Sequence, residues 1–226
     1  MVSGRVVAVT GAGGSLGPAV VRRLAEAGAR LALAGRDPEK LTRLVGSGSA
    51  EVTALDLLDE PATRAWAERA GADALVHLVG GWRGGGPIEE SPAADWDALS
   101  DQLVRTTQHV TRAFARSLID SGRGRFVIVS STQAQAPTHT NAAYAAAKSA
   151  AEAWTLALAH RFRGTGATAN IVVVRAIATD AMRRAEPERD FSAFSSDEEV
   201  AGAVAYLLGD EASGMNGQRL VLAGAR

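Results

Sequence analysis

Short apolar runs alternate with longer amphipathic stretches along the whole chain. RVVAV (5–9), RLALA (30–34), EVTAL (51–55), ALVHLV (74–79), RFVIVSS (125–131), ATANIVVV (167–174) and RLVLA (219–223) each read as a strand. Between them the apolar residues fall at helical spacing: PAVVRRLAEAGA after the first run, PEKLTRLV after the second, then residues 60–69, a long helix over about 95–117, and helices over about 142–162 and 198–208. Pro38 opens the second helix at the N1 place that proline favours. Strands this continuously apolar are buried on both sides, and that requires a parallel sheet covered by helices on both faces. The pattern predicts one doubly wound, Rossmann-like α/β domain over residues 1–226, with ligands at the carboxyl ends of its strands. Glycine-rich GSGSA (46–50) and GGWRGGG (80–86) read as loops inside the alternation.

Composition narrows the chemistry. The 226 residues suffice for one sizeable core. Lys+Arg total 24 against Asp+Glu 25, so charge gives no ground for a nucleic-acid or membrane partner. The absence of cysteine excludes a disulfide scaffold, a thiolate metal site and a cysteine nucleophile. No run approaches the ~20 apolar residues of a membrane span, and no basic-then-apolar signal region is visible, so a cytoplasmic protein is expected. Of the basic residues only Lys40 and Lys148 are lysines, which makes their positions informative.

The first strand runs into TGAGGSLG, where Gly11, Gly14 and Gly17 are spaced G-x-x-G-x-x-G and Gly13, Ser15 and Leu16 complete the turn. Glycines there permit a tight reversal and let backbone N–H groups approach a pyrophosphate at the positive end of the next helix. Gly13 to Gly17 also fits G-x-S-x-G, which would make Ser15 a hydrolase nucleophile. That reading is weaker, because the first strand leaves no room upstream for an oxyanion loop. The second strand ends in Gly35-Arg36, where an acidic residue would accept from the ribose hydroxyls of NAD. Gly35 removes that charge and Arg36 offers a fork for a 2′-phosphate, favouring NADP over NAD; the plain alternative is a surface arginine.

Tyr144 and Lys148 stand at i and i+4 in YAAAK, on one face of a helix. With two tyrosines and two lysines in the chain, chance gives this spacing an expected count of roughly 0.02. A free phenol is a poor acid–base catalyst at neutrality, and a neighbouring cation is expected to lower its pKa into a useful range. Ser131 ends the fifth strand thirteen residues earlier, where its hydroxyl can face the helix and hold a carbonyl oxygen.

Together these residues resemble the short-chain dehydrogenase/reductase family over essentially the whole chain. The resemblance implies that Tyr144 is the general acid of carbonyl reduction, that Lys148 binds the nicotinamide ribose and tunes Tyr144, and that Ser131 orients the carbonyl. It places Asp56 and Leu57 beside the adenine, Gly80 and Ile177 along the cofactor, and Thr179 on the nicotinamide carboxamide. It implies a nicotinamide cofactor, which Gly35-Arg36 makes NADP before NAD, a small carbonyl or alcohol as substrate, and a homodimer or homotetramer paired through the outward face of the helix carrying Trp154, Leu156 and Leu158.

The chain also departs from the family. Leu103 stands where an asparagine usually organises a proton-relay water, so a relay would run through Gln102, Thr106, Thr107 or bulk solvent. His77-Leu78-Val79-Gly80 replaces Asn-Asn-Ala-Gly, Arg175-Ala176 replaces Pro-Gly, and Ser15 takes a frequent glycine position. A second reading follows from these losses: an NADP-binding protein of the same fold with weak or no hydride chemistry. GGW-x-GG around Trp82 is similar to a segment of dihydropteridine reductases, so Trp82 either stacks on nicotinamide or a flat substrate, or caps a core edge. The four histidines show no metal-ligand spacing, although His139 lies five residues before Tyr144 on a loop beside the site. Residues 182–196, where the family builds a substrate lid, form a short segment, and a relatively open pocket is expected.

Overall fold

The computed structural model describes residues 2–45 and 50–222, so most of the GSGSA loop lies outside the described residues. Among the described residues there are nine strands: β1 Val6–Thr10, β2 Arg30–Gly35, β3 Ala50–Ala54, β4 Ala74–His77, β5 Arg125–Ser131, β6 Thr168–Val174, β7 Ile177–Ala178, β8 Ser195–Ser196 and β9 Arg219–Val221. Eight α-helices accompany them: α1 Gly17–Glu26, α2 Pro38–Val45, α3 Glu60–Ala70, α4 Ala93–Leu99, α5 Thr106–Asp120, α6 Ala142–Arg161, α7 Asp180–Ala185 and α8 Asp197–Leu208. Seven strands form one parallel sheet in the order β3-β2-β1-β4-β5-β6-β9. The order reverses between β1 and β4, and a crevice opens there at the carboxyl ends.

Alternation along each strand divides the core into two layers. Val7, Val9, Leu31, Leu33, Val127 and Val172 point to the face covered by α1 and α8. Ala8, Ala32, Phe126, Ile128, Ile171 and Val173 point to the face covered by α3, α5 and α6. On that second face Trp66 meets Phe114 edge to face at 5.2 Å. Burial on both sides is why these strands read as unbroken apolar runs.

The amino ends of the strands are closed by charge. Arg5 is wholly buried, donates to Asp210 at 2.6 Å and to the carbonyl of Arg123 at 2.9 Å, and lies 3.6 Å from the Asp73 carboxylate. Arg125, also buried, donates to the carbonyls of Arg123, Gly124 and Gly166 within 3.0 Å.

The long helix expected over about 95–117 is instead α4 and α5 joined by a π-helical turn at 100–105. Thr106 and Thr107 donate their hydroxyls back to the carbonyls of Gln102 and Leu103, the i−4 bonding that loosens a helix from within. The turn also gives Leu103 a dry seat: it is 2% exposed and packs with Leu99 and Ala147.

Candidate active site

A cleft of about 920 Å³ runs across the carboxyl ends of the sheet. Its floor is the β1–α1 turn. Gly11 has φ +74, and a Cβ there would lie 2.6 Å from the amide nitrogen of Val79; one on Gly17 would lie 1.7 Å from the carbonyl oxygen of Ala12. Both positions therefore require glycine, so that the turn can fold under β4 and α1 can start flush against it. Helix α1 begins with no side-chain cap and no acidic residue in its first turn, and Pro18 removes one donor. An anion is the natural complement of such a terminus.

Gly11, Gly13, Gly14, Ser15, Leu16, Gly17, Arg36, Asp56, Leu57, Gly80, Ser131, Tyr144, Lys148 and Ile177 all line this cleft. Thr179 does not: it is buried and caps α7, its hydroxyl accepting from the Met182 amide at 3.2 Å. Trp82 lines the mouth, 58% exposed, on a loop tied to the start of α6 by the Gly85 N–H donating to the Thr140 carbonyl at 2.8 Å. Lys40 and Arg175 also line the cleft, as do Gln102 and Thr106, two of the residues expected for a proton relay. Lys40 had a signal, since it is one of two lysines and lies one helical turn from Arg36.

At the reacting end, Ser131 terminates β5 and its Oγ accepts from the Gln133 N–H at 3.2 Å, which leaves its own proton free to donate. Lys148 is buried, donates to the Val129 carbonyl at 2.9 Å, and holds its Nζ 5.9 Å from the centre of the Tyr144 ring. Burial brings the Lys148 pKa down to about 8 against the upward pull of Glu152. Tyr144 departs from expectation. Its pKa is raised, because burial disfavours the phenolate more than the hydrogen bond to Ser131 favours it. The lysine ammonium is turned to a carbonyl instead of the phenol oxygen.

Behind the lysine, His77 is buried at the end of β4 with Nδ1 2.7 Å from Thr10 Oγ1 and Nε2 3.1 Å from Thr106 Oγ1. Thr106 spends its proton on Gln102, so the imidazole donates from Nε2 and accepts at Nδ1. Burial, and then the charge on Lys148, push its pKa down to about 3. This neutral ring ties β1 and β4 to the π-helical turn. The other histidines are elsewhere: His109 bonds the Leu57 carbonyl at 2.8 Å, and His139 and His160 are exposed. No histidine lines the cleft, so Ser15 has no imidazole base beside it, as a hydrolase elbow would need. Among the described residues no group of three or more His, Asp or Glu is placed to hold a metal, and no helix is long and apolar enough to cross a membrane.

Residues 11–224 match the family model described as enoyl-(acyl carrier protein) reductase. A short-chain dehydrogenase from Burkholderia cenocepacia, solved in complex with NADP, shares the fold with a TM-score of 0.85 and 28% identity, over 99% of this chain and 98% of that one. The chain belongs to the short-chain dehydrogenase/reductase family. Within this family an uncharacterized oxidoreductase of Mycobacterium tuberculosis is 31% identical over 247 aligned residues, 99% of this chain and 91% of the relative. An NAD+-bound xylitol dehydrogenase has a TM-score of 0.84 and 25% identity over 99% of both chains. This short-chain dehydrogenase/reductase is therefore an oxidoreductase with a nicotinamide cofactor, and its structural neighbours include one solved with NADP and one with NAD+.

Proposed function

We propose that the chain is an NADP(H)-dependent reductase of small carbonyl compounds, or dehydrogenase of the matching alcohols, with Ser131, Tyr144 and Lys148 handling the substrate oxygen. The observation that carries this reading is the meeting of all three with the glycine turn and Arg36 in one cleft. The residues present suit the cofactor. The turn from Gly11 to Gly17 would hold the diphosphate, Asp56 and Leu57 the adenine, and Gly80 and Ile177 the nicotinamide half. Thr179, expected on the carboxamide, lies outside the cleft and caps α7 instead. Arg36 and Lys40 would grip the 2′-phosphate, because Asp37 beside them turns its carboxylate to the α2 start, accepting from the Lys40 N–H at 3.0 Å.

When bound, the nicotinamide gives or takes the hydride. Tyr144 gives its phenolic proton to the oxygen as the carbonyl becomes an alcohol. Its raised pKa keeps that proton in place at neutral pH but makes Tyr144 a weaker acid than a free phenol, so the transfer relies on the charge of Lys148 and the hydroxyl of Ser131. Ser131 donates its hydroxyl to the same oxygen and holds it for the transfer. Lys148 remains charged below about pH 8 and supplies the field that stabilises the phenolate left behind. A homodimer or homotetramer would pair through the outward side of α6, where Leu156 is exposed while Trp154 is tied to Thr111 at 2.8 Å.

A second reading, an NADP-binding protein with little hydride chemistry, draws on Leu103 and His77. Leu103 is sealed in apolar packing and His77 is committed at both nitrogens, so neither passes a proton to Lys148. Titration with NADPH and NADH, followed by a ketone, aldehyde and quinone panel, separates the two. The first reading expects turnover that falls by about a thousandfold in Tyr144→Phe while NADPH affinity holds. NADPH binding with no turnover across the panel selects the second.

A further inference from the structure

Arg175 directly follows β6, whose last residue Val174 is the register partner of Ser131 on β5. It is exposed, lines the cleft, and has no ion-pair or hydrogen-bond partner among the described residues. The backbone beside it is fixed, because the Ala176 carbonyl accepts from the Ser195 N–H at 3.0 Å and Ile177 pairs with Ser195 in the β7–β8 ladder. The cleft-lining carboxylates, Asp37 and Asp56, both stand at the β2–β3 side. The cleft-lining cations away from that side are Lys148, which is buried against Val129, and Arg175, which is not.

Resting on the function proposed above, we infer that the substrate is an anionic carbonyl compound whose carboxylate or phosphate is held by Arg175. Strands lie about 4.8 Å apart, so Arg175 stands about one strand from the serine that orients the carbonyl. The glycine turn on β1 is three strands from β6 in the sheet order, roughly 14 Å away, which sets Arg175 apart from the diphosphate site. A guanidinium fork matches a carboxylate or phosphate in two parallel hydrogen bonds. The charge thus fixes one end of a small molecule while Ser131 and Tyr144 take the carbonyl at the other.

The test compares short oxo acids with their methyl esters as substrates for the wild-type protein with NADPH. The acid is expected to be favoured by at least about tenfold in kcat/KM, mainly through KM. Arg175→Ala should bring that ratio to about one, Arg175→Lys should keep part of it, and the NADPH dissociation constant should move by less than about threefold. Calorimetric binding of the oxo acid to Tyr144→Phe protein saturated with NADPH gives a readout without turnover, and the added Arg175→Ala change should abolish it. Equal handling of acid and ester by the wild type overturns the inference alone. So does an Arg175→Ala protein that keeps the preference and loses NADPH. Failure of the wild type to reduce either partner overturns the parent reading together with this one.

Discussion

The two ends of the sheet use the same side chain in opposite ways. At the amino ends Arg5 and Arg125 are buried and paired, with carbonyls and the carboxylates of Asp73 and Asp210 as partners and only the Arg5 Nε left without one. At the carboxyl ends Arg36 and Arg175 line an open cleft and have no partner among the described residues. A buried guanidinium without partners is too costly to keep, so the first pair must be structural. An exposed, unpaired one on a concave wall is available for an anion that arrives from solution. Satisfaction of the charge, rather than its presence, separates scaffold from site.

Removing a scaffold arginine should give the largest effect on stability and a small one on chemistry. Arg5→Ala is expected to lower unfolding free energy by about 3 kcal/mol, through a lost buried ion pair and the void left behind. Urea unfolding of the variant measures the loss, and its NADPH affinity under folding conditions should stay within about twofold. A large loss of NADPH affinity in a folded Arg5→Ala protein would dissolve the division between the two ends.

The next effect sits at the carboxyl end and concerns His77. Its folded pKa, about 3, lies below the ordinary value of 6.5. Above 6.5 the ring is neutral in both states and stability is fully present. As pH falls below 6.5 the unfolded chain takes up a proton that the folded chain refuses, so stability drains away toward pH 3. Between pH 7 and pH 5 the loss due to this residue is about 2 kcal/mol. His77→Gln keeps a donor and an acceptor but does not titrate. It should be less stable than wild type at pH 7 and show a flatter decline to pH 5. Equal pH slopes for the two proteins would remove the neutral strut between β1, β4 and the π-helical turn.

Much of the fold was legible because the physics is local: strands buried on both faces have to be apolar throughout, and glycine punctuates where the backbone turns. The meeting of Ser131, Tyr144 and Lys148 in one cleft was legible for a similar reason, since Tyr144 and Lys148 share a helix face and Ser131 ends a strand. The break in the long helix was harder. Its signal, the adjacent Thr106 and Thr107, acts only when both hydroxyls turn back onto carbonyls, and leucine at 103 drew attention to a missing side chain instead of a changed backbone. The rise in the Tyr144 pKa depends on burial and on where the lysine points, which no spacing encodes. Arg5 looked like any residue ahead of a strand because its partner Asp210 is 205 positions away. Arg175 registered as a lost Pro-Gly, and its place beside Ser131 follows only from strand register.

The smallest effect is the most specific. Arg36 and Lys40 face the cleft at the end of β2, four strands from β6, so a change there should alter which coenzyme binds and leave the acid-over-ester preference alone. Loss of one charge-assisted contact to a phosphate is worth about 1.5 kcal/mol. Arg36→Ala should therefore weaken NADPH by about tenfold, with NADH changing by less than about twofold, in titrations following the fluorescence of the bound reduced cofactor. Adding Lys40→Ala should widen the gap, since both cations would address the same dianion. The discriminating quantity is the ratio of the two affinities, because damage to the shared glycine turn lowers both together. Equal losses for NADPH and NADH would move Arg36 onto a group common to both coenzymes and take away the basis for preferring NADP.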